Sequence, residues 1–172
     1  MWHMLRVLGI AASYACLVAP VMAAGEPARP SGALNTVAPD FMRTDLSGRP
    51  LQLNHFKGRV VLLNFWATWC GPCITEIPIF SQWQRRYADA GLQVIGVSMD
   101  DDAAPVKRFV AKHSVSYPIL MGDAKLGESF GGVFGLPQSF LIDTHGRIVL
   151  RIVGEPNMEA LRSQIEGLIG VH

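Results

Sequence analysis

Charge is scarce in this chain. Asp, Glu, Lys and Arg make up 17% of its 172 residues, and the formal net charge is +1. That balance leaves no electrostatic footprint for nucleic acid and no polybasic face for acidic lipids. Cysteine is scarcer, with three residues, too few for a fold stapled by disulfides. The 11 Pro and 17 Gly are spread out rather than clustered, which excludes a collagen-like or disordered chain. No internal repeat or low-complexity stretch occurs. What is present is a 49% hydrophobic chain, of a length that suits one domain plus a processed tail.

The first 24 residues read as a targeting segment. Arg6 gives a basic start, Val7 to Val18 an apolar run, and Val21-x-Ala23 a small-residue cleavage site. The apolar run is at the short edge of the ~20 residues that span a bilayer, and Pro20 interrupts it. The expectation is export, with cleavage near Ala24; an uncleaved membrane anchor is the alternative. Cys16 follows Ser13-Tyr14-Ala15, which lacks the aliphatic residue of a lipidation site, so it reads as apolar filler. Residues 25–36 are rich in Pro, Gly and Ser and form a linker. The folded domain is expected over 37–172.

Within that domain, strands and helices alternate. Phe41–Thr44 and Pro50–Leu53 flank a turn at Asp45–Gly48 and suggest an edge hairpin. Arg59–Trp66 is apolar on both faces, as a buried central strand should be. A helix follows from about Gly71 to Ala88, with Pro78 expected to kink it. Leu92–Ser98 is a second buried strand, and Asp100-Asp101-Asp102 offers caps for a helix over Ala104–His113. Ser139–Ile142 and Arg147–Val153 are joined by a four-residue turn, hence antiparallel. A last helix spans about Asn157–Ile169, with Leu161, Ile165, Leu168 and Ile169 at helical spacing. The order implies an α/β domain: a mixed central sheet flanked by helices, with an N-terminal hairpin extension.

The chemistry is concentrated in Trp69-Cys70-Gly71-Pro72-Cys73, between a buried strand and a helix start. Two Cys three apart in that setting make a dithiol or disulfide pair. Free helix amides and the positive end of the dipole favour a thiolate at Cys70. Pro72 costs no intrahelical bond so close to the start. Half of a zinc site is the competing reading, but zinc needs four ligands, and His55, His113, His145 and His172 are scattered singly. No metal or organic cofactor is expected.

Residues Asn64 to Pro78, with Ala38-Pro39-Asp40-Phe41 before them and Gly135 to Asp143 after, resemble the thioredoxin-like proteins of the bacterial periplasm. Within those, the chain is similar to the TlpA/ResA-like disulfide reductases related to cytochrome c maturation. The likeness runs from about 37 to 169 and implies a thioredoxin-like fold. Thioredoxins carry a buried Asp where this chain has Asn64, and an acid appears instead at Glu76, three residues after Cys73. Positions i and i+3 share a helix face. The resemblance therefore implies that Glu76 assists proton transfer at Cys73; a solvated surface charge is the plainer reading. Asn64 is then expected to be a buried residue bonded to backbone. Pro137 matches the family's cis-proline, and Leu136 would offer its backbone to an extended substrate segment. Trp66 is expected in the core, and Trp69 on the docking surface beside the thiol.

The function implied is a periplasmic thiol:disulfide oxidoreductase acting as a reductant. Its expected partners are a disulfide-containing exported protein, for which the family suggests apocytochrome c, and a membrane thiol electron donor. No nucleic acid is expected, and the chain is expected to be a monomer. The Gly-Pro pair between the cysteines is that of thioredoxin, at ~ −270 mV, against ~ −120 mV for the oxidant DsbA. An oxidase or isomerase uses the same dithiol and is the first alternative. A copper chaperone would want a longer Cys–Cys spacing and a nearby His. A peroxidase would want Pro and Thr or Ser where Leu63 and Ala67 stand.

Overall fold

The computed structural model describes Pro30, Ser31 and residues 35–171. The targeting segment and Cys16 lie outside the described residues. In chain order the elements are β1 (Pro30–Ser31), β2 (Thr36–Val37), β3 (Met42–Thr44), β4 (Pro50–Gln52) and a short 3₁₀ turn (Leu53–Phe56). There follow β5 (Val60–Trp66), α1 (Gly71–Tyr87), β6 (Leu92–Ser98), α2 (Ala103–His113), β7 (Ile119–Met121) and α3 (Ala124–Ser129). The chain ends with β8 (Gln138–Ile142), β9 (Arg147–Val153) and α4 (Met158–Ile169).

β5 is buried at every position, as its unbroken apolar run requires. It lies between β6, parallel to it, and β8, antiparallel to it. The main sheet runs β1-β9-β8-β5-β6-β7, and β2 also pairs with β9. The side-chain alternation of β5 divides the core in two. Val60, Leu62 and Trp66 pack with Ile77 and Phe80 of α1, Val106 of α2, and Leu161 and Ile165 of α4. Val61, Leu63 and Phe65 pack on the other face with Leu51, Leu53, Leu126 and Phe130. Each large side chain fully buried there contributes roughly 1.5–3 kcal/mol. Among the described residues, no helix is long and apolar enough to cross a membrane.

Most expected elements are present, including the β3–β4 hairpin and the antiparallel β8–β9 pair. α1 runs on through Pro78. Three features depart from the expectation. β7 and α3 arise in a stretch without an assigned element; β7 is three residues long, between Pro118 and Gly122, too short for a period-two pattern. Parts of the segment read as linker are ordered: Pro30 and Ser31 pair with Ile152 and Arg151, and Thr36 with Ile148. The acidic trio divides its work. Asp102 caps α2 by accepting from the Ala104 N–H, at 2.9 Å, while Asp100 is buried and used elsewhere.

Gly96 of β6 faces the α1 side and is tightly overlaid. A Cβ added there would stand 2.3 Å from Ile119 Cδ1, 3.1 Å from Trp66 Nε1 and 3.2 Å from Tyr117 Cε2. Gly96→Ala should therefore destabilise the domain by about 1–3 kcal/mol through overpacking. Adding Ile119→Val, which removes the nearest atom, should recover part of that loss. Denaturant unfolding of the two variants checks both.

Candidate active site

The site grows from the C-terminal end of β5. After Trp66 the chain turns through Ala67–Trp69, and this turn is pinned by Asp100. Its carboxylate accepts from the Thr68 N–H at 2.9 Å and the Ser98 hydroxyl at 2.8 Å, and also from the Thr68 hydroxyl. Cys70 then takes the N-cap of α1, with extended backbone. Its Sγ accepts from the Cys73 N–H at 3.3 Å, so an open helix amide points at this sulfur. Pro72 sits in the first turn of the helix, where no intrahelical donor is needed.

Cys70 and Cys73 are joined in a disulfide, with S–S 2.04 Å and Cα–Cα 5.3 Å. The two sulfurs are not equivalent: Cys70 is 6% exposed and Cys73 is fully buried. Trp69 is 70% exposed beside them, whereas Trp66 is buried and its ring meets Phe109 at 5.2 Å. The β5–β8 register pairs Phe65 with Gln138, which brings Pro137 to the end of β5 that carries the dithiol. The Leu136–Pro137 bond is cis. Leu136 is half-buried, and the Pro137 carbonyl accepts from the Gly154 N–H at 2.8 Å.

Glu76 lies one helical turn beyond Cys73 and is only 1% exposed, so it is not a solvated surface charge. Asn64 Nδ2 donates to Ser139 Oγ at 3.0 Å and, more weakly, to Glu76 Oε2 at 3.4 Å. This corrects the expectation for Asn64: its amide binds two side chains, not backbone. The partners are brought together by register, since Ser139 stands opposite Asn64 across the β5–β8 pair. Burial pushes the Glu76 carboxyl up to about 8; the Glu155 carboxylate adds to the rise, and the Asn64 hydrogen bond opposes it. Glu76 is therefore neutral in the oxidised protein at neutral pH.

Among the described residues, no three His, Cys, Asp or Glu converge as a metal site. His113 stacks on Phe109 with centroids 4.1 Å apart, and His145 stands in the β8–β9 turn, 3.8 Å from Asp143. His172 lies outside the described residues. Asp100 and Ser139 were not singled out from sequence. Asp100 was hidden among three adjacent acids. Ser139 is significant only through the register that sets it against Asn64.

Comparisons with known proteins agree with this geometry. The Redoxin family model matches residues 33–169. The thiol-disulfide oxidoreductase ResA of Bacillus thuringiensis subsp. konkukian is 38% identical over 131 residues, which cover 75% of this chain and 75% of that protein. ResA of Bacillus subtilis strain 168 is 30% identical over 117 residues, 68% of this chain and 65% of that protein. A thiol:disulfide interchange protein of the thioredoxin family from Chlorobium tepidum TLS superposes with a TM-score of 0.73 at 31% identity. The match covers 84% of this chain and all of that one.

A buried carboxyl with a raised pKa has a definite linkage. The folded oxidised protein binds a proton at Glu76 that the unfolded chain releases near pH 4.5. This group's contribution is therefore fully kept below about 4.5 and lost as pH rises through about 8. Relative to Glu76→Gln, the oxidised wild type should lose on the order of a few kcal/mol between pH 5 and pH 9. Denaturant unfolding at the two pH values measures the difference, and parallel curves would place Glu76 in solvent.

Proposed function

The chain belongs to the Redoxin family and is a thiol-disulfide oxidoreductase of the ResA type; we propose that it works after export, in the periplasm, reducing disulfides in other exported proteins. The observation that carries the reading is Glu76, buried one turn from Cys73 and neutral while the disulfide is closed. A carboxyl there serves proton transfer at Cys73 in either direction of exchange; the reducing direction is drawn from the thioredoxin-like Gly-Pro pair between the cysteines, at ~ −270 mV in thioredoxin.

In the reduced protein the Cys70 thiolate attacks one sulfur of the substrate disulfide. The substrate S–S bond breaks, a Cys70–substrate S–S bond forms, and the other substrate sulfur leaves as thiolate. Cys73 then gives its proton to the Glu76 carboxylate and attacks Cys70 Sγ. The mixed disulfide breaks, the reduced substrate leaves, and the Cys70–Cys73 disulfide closes over a protonated Glu76. Recharging runs the steps backward. A membrane thiol donor attacks Cys70, and the departing Cys73 thiolate recovers the proton from Glu76. The exposed Trp69 ring, the half-buried Leu136 backbone and Pro137 form the rim on which an extended substrate segment docks. No other cofactor enters these steps. The substrate suggested by the resemblance is apocytochrome c, and the protein acts as a monomer.

Cys70→Ser should abolish disulfide reduction. Glu76→Gln keeps the side-chain shape but cannot accept a proton. It should leave the attack by Cys70 largely intact and slow resolution by at least ~10-fold, within the ~10²–10⁴ of a positioned acid–base group. Cysteine pKa values should also fall, because an anion next to a thiol opposes its ionisation. Stopped-flow measurement of mixed-disulfide formation and decay, step by step, decides it. Unchanged decay would leave Glu76 without a role. For the substrate and compartment, Cys73→Ala expressed in the periplasm should trap exported thiol proteins on Cys70; an empty trap would count against the reading.

A further inference from the structure

The loop that leads into the cis-proline carries a ring that the fold leaves uncovered. Phe134 is 94% exposed, more than Trp69 at the other side of the dithiol. A single apolar side chain in solvent is ordinary on a protein surface. This one stands apart because its support is built. The ring lies against the backbone of Gly132, where an added Cβ would be 2.2 Å from Phe134 Cε2 and 2.5 Å from Cζ. Gly132 has φ +89°, so glycine serves there both for its backbone and for the space it leaves the ring.

Gly132 is itself tied down from two sides. Its N–H donates to the Gly127 carbonyl at 3.0 Å, and its carbonyl accepts from Arg151 Nη2 at 2.7 Å. Arg151 stands on β9 opposite Phe140, with its guanidinium 5.6 Å from the centre of that buried ring. With its amide oxygen turned toward the guanidinium, buried Gln138 accepts from Arg151 Nε at 3.2 Å and from Nη2 at 3.1 Å. Gln138 directly follows Pro137. One side chain therefore grips the loop on both sides of the cis bond, at Gly132 before it and at Gln138 after it. The fixed fork of a guanidinium can do this; a single ammonium cannot hold both.

The surface beside Phe134 is of one kind. Val133 to Gln138 contains no charged residue. Val153, also exposed, stands opposite Gln138 in the β8–β9 register and shares a face of β9 with Arg151. Phe134 precedes half-buried Leu136 by two residues, so it extends the docking rim by at most ~7 Å.

We propose that Phe134 is a specificity-determining residue of this rim, taking an apolar side chain of the extended substrate segment, and that Arg151 is the positioning residue that fixes it there. The short reach from Leu136 puts the recognised side chain within about three residues of the cysteine under attack. The inference rests on the reduction of protein disulfides proposed above.

The test uses reduced protein and single-cysteine peptides carried as mixed disulfides with thionitrobenzoate. Attack by Cys70 on the peptide sulfur forms the Cys70–peptide disulfide and releases the coloured thiolate. The peptides place Leu or Ser at each of the three positions on either side of the cysteine. Hydroxyethyl disulfide, too small to reach Phe134, is the control. At the best position wild type should half-saturate at ~10-fold lower concentration with Leu than with Ser, the low end for one apolar contact. Phe134→Ala should remove that preference without changing the limiting rate, and Phe134→Leu should keep most of it. Arg151→Lys should cut it to below ~3-fold, again without changing the limiting rate. All variants should react with hydroxyethyl disulfide as wild type does. A Phe134→Ala protein that still prefers Leu overturns the specificity role, and an unchanged preference in Arg151→Lys overturns the positioning role. Equal slowing toward hydroxyethyl disulfide in both variants shows a disturbed dithiol and overturns both roles. Wild type that takes Leu and Ser peptides alike overturns this inference and leaves the function reading standing. Wild type that reacts with hydroxyethyl disulfide and with no peptide fails the function reading, and this inference with it.

Discussion

Burying Glu76 is the constraint that the rest of the site answers. An ionised carboxylate with no cation beside it is costly in an interior, and the group responds by staying protonated. Around Glu76 stand a neutral amide, a serine hydroxyl and, at longer range, another acid in Glu155. Among the described residues, the group that stabilises the charge is Asn64, through one long hydrogen bond. In the oxidised protein burial thus pushes the carboxyl up to about 8, close to the ~8.5 of a free cysteine. Matched proton affinities are the condition under which a proton moves between two groups without a large cost in either direction.

The second requirement is that the dithiol be held at one place relative to that carboxyl. Three independent devices meet it. β5 is buried on both faces and cannot shift without exposing both halves of the core. Asp100 pins Thr68, two residues before Cys70, through backbone and hydroxyl together. The start of α1 then sets the Cys70 sulfur against a helix amide and places Cys73 and Glu76 one turn apart. The exposure difference between the two sulfurs follows from this geometry. Cys70 at the N-cap keeps a sliver of surface, whereas Cys73 is the residue of the first turn that points inward.

What could be read from sequence was whatever depends on local pattern. The continuous apolar runs of β5 and β6, the turn between β8 and β9, and the Cys-Gly-Pro-Cys helix start all announce themselves within ten residues. Elements whose stability comes from the sheet rather than from their own residues did not. β7 is a three-residue strand supported by β6 next to it, and the pairing of Pro30–Ser31 with β9 depends on an edge formed more than a hundred residues later. The site divides in the same way. Cys70, Cys73 and Glu76 sit on one helix and are legible by spacing. The partners of Asn64 are Glu76 on that helix and Ser139 on a distant strand, and only the folded register brings them together.

The substitution of Asn64 for the acid of typical thioredoxins also bears on how the site can titrate. Two carboxyls facing one another at this depth would share protons, and their two ionisations would belong to the pair rather than to either group. With an amide at 64 there is one carboxyl beside the dithiol, and Glu155 acts on it only through its charge. A single buried proton then accompanies the single thiol that must lose or gain one. Asn64 retains the hydrogen-bonding part of the lost acid: its Nδ2 reaches both Ser139 and Glu76, orienting the carboxyl without competing for the proton. Moving the acid from the strand to the helix therefore ties the proton carrier to the same rigid element as the cysteine it serves, so their separation does not depend on how the helix sits against the sheet.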